Sequence, residues 1–139
     1  MASKRETILQ RIVTALAGTT GVSTRIYRSR VEPLARGEAP ALVVEPVADQ
    51  AVQDTVGTLQ WTLTFRVSVI VRGAIPDQLA DAAMLDIHSK LMADDTLDGL
   101  VIQLLPTTVS FETIEADQPA GVVSAEFTAQ YRTALNSLS

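Results

Sequence analysis

The stretch "LQWTLTFRVSVIVRG", Leu59 to Gly73, constrains the fold more than any other. Leu59, Trp61, Leu63, Phe65, Val67, Val69 and Val71 alternate with Gln60, Thr62, Thr64, Arg66, Ser68, Ile70 and Arg72. A period of two places one set on each side of an extended chain. One side is wholly apolar and the other mostly polar, which predicts a long, half-buried strand in an antiparallel sheet. The apolar side needs a cover, and two segments have the periodicity to provide it.

The first is near the N-terminus. Ser3 and Glu6 have capping-box spacing, in which hydroxyl and carboxylate each satisfy a free backbone donor, so a helix is predicted from about Lys4 to Leu16. Its stripe is Ile8, Leu9, Ile12, Ala15 and Leu16, and the turn Gly18-Thr-Thr-Gly21 ends it. The second helix opens at Pro76 and Asp77 and runs to about Met92, with Leu79, Ala82, Ala83, Ile87 and Leu91 as its stripe.

The remaining elements read as strands. Thr24 to Arg30 alternates over a short run, Ala41 to Glu45 is a short buried strand, and residues 47 to 58 are small, polar and acidic, as in a flexible loop or hairpin tip. After the "ADDTLDG" turn come Leu100 to Leu105, then Thr107 to Ile114 beyond Pro106, and a last strand from Val122 to Thr133. The order α-β-β-β-α-β-β predicts a single α+β domain over residues 1 to 139, a mixed or antiparallel sheet with two helices packed on one face. At 139 residues, 47% of them hydrophobic, the chain can bury roughly two thirds of its unfolded surface and needs no staples.

Composition removes several chemistries. Without cysteine there is no disulfide scaffold, thiolate zinc site or cysteine nucleophile. The single His88 has Asp86 two residues back and off its helix face, and no G-x-S-x-G elbow is present, so no catalytic residue is assigned and the chain reads as a non-enzyme. Asp94 to Gly99 has oxygen ligands at calcium-loop spacing, but Leu105 stands where a bidentate glutamate is required; the aspartates read as turn caps and no metal is expected. Gly18 to Gly21 follows a helix and lacks a lysine, so no phosphate or other cofactor is expected there. No run of about eighteen apolar residues exists and the N-terminus lacks a signal-peptide core, so a soluble protein with no membrane partner is expected.

Charge is divided along the chain. Up to Arg36 there are seven basic residues against two acidic ones, and beyond it four against fourteen. In "RIYRSRVEPLARGEAP" the basic residues are interleaved with apolar ones, Tyr27 alone offers stacking, and the net charge of -5 repels a phosphate backbone, so stable nucleic-acid binding is not expected. Singly, Arg25, Arg28, Arg30 and Arg36 read as solvated groups blunting a strand edge. Together with Glu32 they read equally well as a protein interface, because arginine suits bidentate carboxylate pairing.

The order and spacing of these elements resemble the tail terminator proteins of long-tailed bacteriophages, also called tail completion or minor tail proteins. The residues that carry the resemblance are "IYRSRVEPLARGEAPALVVEP" after an N-terminal helix, "WTLTFRVSVIVRG", an aspartate-bearing helix, "TLDGLV" at Thr96 to Val101, and a strand ending near "QYRT". The resemblance implies a structural virion protein at the head-proximal end of the tail, made in the bacterial cytoplasm. It would form a closed ring, typically of six subunits, on the last ring of major tail tube protein, end tube polymerisation and present a surface to the head-tail connector protein. Arg25, Arg28, Arg30, Glu32 and Arg36 are then expected at a subunit or tube interface. Asp49 and Asp54 are expected on a loop facing the lumen or a docking partner, where carboxylates would not retain passing DNA. Another neck component, such as a head-completion or joining protein, and a small ligand-binding α+β dimer are the alternatives.

Overall fold

The computed structural model describes residues 2–22, 25–29, 40–73, 75–114 and 120–139. Along the chain the elements are α1 (Lys4–Ala15), β1 (Ile26–Arg28), β2 (Ala41–Thr55), β3 (Thr58–Arg72), α2 (Pro76–Met92), β4 (Gln103–Ile114) and β5 (Ala120–Ala134). They form one five-stranded sheet of order β1-β2-β3-β5-β4, parallel between β1 and β2 and antiparallel elsewhere, so the sheet is mixed. The expected fold class and element order are those observed.

Alternation along β3 sets the core. Leu63, Phe65, Val67, Val69 and Val71 are buried on one face, and β5 pairs with β3 in a register that puts Ala129, Phe127, Ala125 and Val123 beside them. Ile8, Leu9, Ile12 and Leu16 of α1 and Ala80, Ala83, Ile87 and Leu91 of α2 close the same cluster. The stripe of α2 is one residue out of phase with the expected one at its start: Ala80 is buried, while Leu79 and Ala82 are exposed. Leu79 instead leans over Gly73, whose hydrogen leaves the room it uses.

Helix ends follow local chemistry. Ser3 is the N-cap of α1 and its Oγ accepts from the Glu6 backbone N–H at 3.2 Å. The Glu6 carboxylate does not complete the box in the expected way, because both its oxygens accept from Arg28. Gly18 and Gly21, at φ +78° and +83°, turn the chain out of α1. The expected strand at Thr24 to Arg30 is shorter, Ile26–Arg28: Arg25 is not in the ladder and Ser29, at φ +48°, bends out of it, while Thr24 and Arg30 lie outside the described residues.

Two prolines decide where strands bend. Residues 47 to 55, expected as part of a flexible loop, are instead the second half of β2 and pair with β3 as far as Thr55↔Thr58, leaving Val56 and Gly57 as the hairpin turn. Their polar, acidic composition concealed a strand because nearly all of them are exposed, so β3 holds them by backbone pairing instead of burial. The ladder shifts by one residue between Pro46 and Ala48, and again on β4 between Pro106 and Thr108, where one strand replaces the two expected around Pro106. Proline lacks a ladder donor, and a bulge beside it swaps which residues face the helices.

The first turn of α2 rests directly on β5. A Cβ at Gly121 would stand 2.2 Å from Cβ of Pro76, and the proline ring has no rotamer by which to retreat. Gly121→Ala is therefore expected to lower stability by about 1–3 kcal/mol through overpacking, read as a shifted urea midpoint with an unchanged slope.

Candidate interaction surface

The basic segment is partly engaged within the chain. Arg28, on the edge strand β1, donates to both Glu6 oxygens at 3.0 Å and ties that edge to α1. This bidentate pair holds the Glu6 carboxyl below its usual range. Arg25 donates through Nε to the Pro40 carbonyl at 2.8 Å and through Nη2 to the Gly21 carbonyl at 2.9 Å, so it bridges the chain on either side of β1, and no carboxylate among the described residues pairs with it. Arg30, Glu32 and Arg36 lie outside the described residues.

Asp49 and Asp54 both lie on β2. Before the Pro46 shift, even-numbered residues of β2 face the helices (Leu42↔Val69, Val44↔Val67); after it, odd-numbered ones do (Asp49↔Leu63, Ala51↔Trp61). Asp49 is thereby turned beneath α1, with its side chain only 7% exposed, accepting from the Tyr131 hydroxyl and from Arg5 Nη1 at 3.4 Å. Burial first, and then the Asp49 carboxylate, push the Tyr131 phenol above its ordinary pKa. Tyr131 also stacks on Trp61, its register partner, at 6.2 Å, and the Trp61 indole donates to Thr133. Asp49 is thus a packing residue, whereas Asp54 sits near the hairpin turn and accepts from Arg132 Nε at 2.8 Å.

The surface that sequence reading missed lies at the other edge. Past the Pro106 shift, Val109↔Ala125 and Phe111↔Val123 put Val109 and Phe111 of β4 on the helix side. Both are nonetheless exposed, Phe111 by 69%. An α-helix is about 10–12 Å wide and strands stand about 4.8 Å apart, so two helices cover about four strands. Here α1 lies on β2 and α2 mainly on β3 and β5, so that β4 is covered only in part: Leu104 is buried, whereas Val109 and Phe111 are not. Between α2 and β4 this leaves a groove of about 290 Å³ with Met84, Leu85, Val109, Phe111 and Val123 in its walls and Asp77, Asp81 and His88 on its α2 side. A second hollow of about 220 Å³ shares Asp77, Phe111 and Val123 with it and adds Pro76 and Glu112. The alternation of Val109 and Phe111 was a visible signal; that no helix would cover them was not.

The other features singled out in the sequence resolve locally. Asp94 accepts from the backbone N–H groups of Thr96 and Asp98 and from the Thr96 hydroxyl, and these bonds hold its carboxyl below the usual range. It is a turn cap, and Gly99 follows it at φ +85°. Asp86, two residues before His88, accepts from Thr20 N–H and hydroxyl and so ties α2 to the turn after α1. Among the described residues no group of three or more His, Asp and Glu side chains is placed to hold a metal ion, and no helix is long and apolar enough to cross a membrane.

No protein-family model matches the chain, and no curated protein matches it. Among solved structures, the fold is similar to a chain of the virion of a native gene transfer agent particle. The TM-score is 0.56 at 19% sequence identity, over 87% of this chain and 84% of that one. The two chains share a fold over most of their lengths.

Proposed function

We propose that this chain is a structural virion protein of a phage-like particle, and that it caps the last ring of the tail tube as a closed ring of like subunits. The observation that carries the reading is the shared fold, over most of both chains, with a component of a gene transfer agent virion. The sequence resemblance to tail terminators supports the finer role. So does the division of charge, since a closed ring is built from contacts in which one patch meets an unlike one.

Within the ring, Arg25, Arg28, Arg30, Glu32 and Arg36 lie at a subunit or tube contact. The hairpin end that carries Asp54 faces the lumen or a docking partner. One face of the ring meets the major tail tube protein and the other the connector of the head. Negative-stain microscopy of the protein mixed with purified tail tubes tests this. Tubes closed at one end by a ring are the expected result; bare ends at every ratio would overturn it.

A further inference from the structure

We infer that the groove between α2 and β4 receives the α1–β1 flank of a second copy of this chain, in a head-to-tail contact. This names the subunit contact of the ring proposed above and rests on that reading.

The groove has the composition of an unfilled interface. Its floor carries an aromatic ring, Phe111, beside Met84, Leu85 and Val109, with Leu85 65% exposed and Phe111 69%. Exposed apolar side chains grouped in a hollow, and aromatic and methionine side chains in particular, are typical of buried contact surfaces. Two carboxylates flank the floor: Asp77 and Asp81 stand four residues apart on one face of α2. Among the described residues no cation lies within ion-pair distance of either. Like charges four apart weaken a helix slightly, so an external cation is favoured there twice over.

The same chain presents the complement on its opposite edge. Residues 2–29 hold five basic side chains against one acidic, and residues 75–114 hold seven acidic against one basic. In the sheet, β1 and β4 are the two outer strands, so these regions flank opposite edges. Two copies meeting groove to groove would bring Asp77 and Asp81 of each against those of the other, at the cost of like-charge repulsion. Meeting groove to α1–β1 flank, they place the carboxylates against Arg25, which among the described residues donates to backbone carbonyls, and cover Phe111. Every copy then has one of each patch left, so the contact repeats. An anionic lipid surface or nucleic acid is a poor occupant of the same rim.

The absence of cysteine makes the contact addressable. Gln10 is exposed on α1, one turn after Glu6 and on the side that meets Arg28, and Leu85 is in the groove. The full chain carrying Gln10→Cys and Leu85→Cys, treated with a short bis-maleimide, is expected to give a ladder of dimer, trimer and higher species. Q10C mixed with L85C should stop at dimer, and L85C alone should give none. Adding D77K and D81K to the double-cysteine chain should reduce the ladder by about tenfold or more. Unchanged circular dichroism shows that each variant is folded. Dimers from L85C alone, no ladder at any concentration, or a ladder indifferent to D77K and D81K would each overturn the contact. Microscopy of the same samples separates the two readings. Rings without cross-links leave the ring standing and remove this contact; cross-linked open chains that never close leave the contact and remove the ring.

Discussion

Phe127→Ala is expected to lower the free energy of unfolding by about 3–5 kcal/mol. Phe127 and Phe65 are register partners on adjacent strands, 1% and 0% exposed, with ring centroids 5.6 Å apart and planes inclined by 13°. They sit at the middle of the face that both helices cover, so a cavity there opens against the whole helical layer. A domain of this size is stable by about 5–15 kcal/mol, and a loss of that order removes a large fraction of it. Phe65→Ala should cost a similar amount. The double variant should cost less than the two together by about 0.5–1.5 kcal/mol, the part that belongs to the ring contact itself. Urea unfolding of the four proteins measures all of these. A cost below about 1 kcal/mol for either single change would mean that the helices do not rest on this strand pair.

Asp49→Ala is expected to destabilise by about 1–3 kcal/mol, while Asp54→Ala, five residues on, should stay within about 0.5 kcal/mol. Both are aspartates in the same polar stretch, and reading that stretch as a loop would predict indifference at both. The difference comes from placement. Removing the Asp49 carboxylate leaves the buried Tyr131 hydroxyl without its acceptor and Arg5 without its partner. Asp54 loses one ion pair with Arg132, whose side chain is more than half exposed, and such pairs contribute little. Tyr131→Phe removes the other half of the contact, and D49A with Y131F should cost clearly less than the two single changes added. Equal, small effects at Asp49 and Asp54 would show that residues 47 to 55 are not paired as a strand beneath α1.

The fold was legible wherever side-chain periodicity and caps were strong. Leu59 to Val71 announced β3, Ser3 and Gly18 marked the ends of α1, Pro76 opened α2, and Val122 to Thr133 alternated as β5 does. The errors cluster at the two prolines and in the polar half of β2. A strand with little burial has no apolar alternation to betray it, and pairing with β3 is a non-local interaction that residues 47 to 55 do not encode by themselves. At α2 the stripe expected from the sequence includes Leu79. Close approach to the sheet favoured Ala80, and Gly73 offered Leu79 another place.

The surfaces divide in the same way. Charge segregation along the chain was visible as composition, and the unlike ends of the sheet follow once β1 and β4 are known to be its outer strands. Which groups remain available was not visible. Arg28 is engaged by Glu6 from α1, a contact between residues far apart in sequence, and Asp49 is engaged by Tyr131 from the other end of the chain.

What the sequence determined by itself is the set of elements, their order, and the existence of one apolar sheet face with two helices to cover it, because periodicity and capping act within a few residues. Tertiary structure alone decided the register. One extra residue after Pro46 turned Asp49 inward, and one after Pro106 turned Val109 and Phe111 toward a helix layer that leaves them exposed. A single-residue shift exchanges the two faces of a strand, and whether it occurs depends on the partner strand's hydrogen-bond ladder, a contact made only when the sheet assembles.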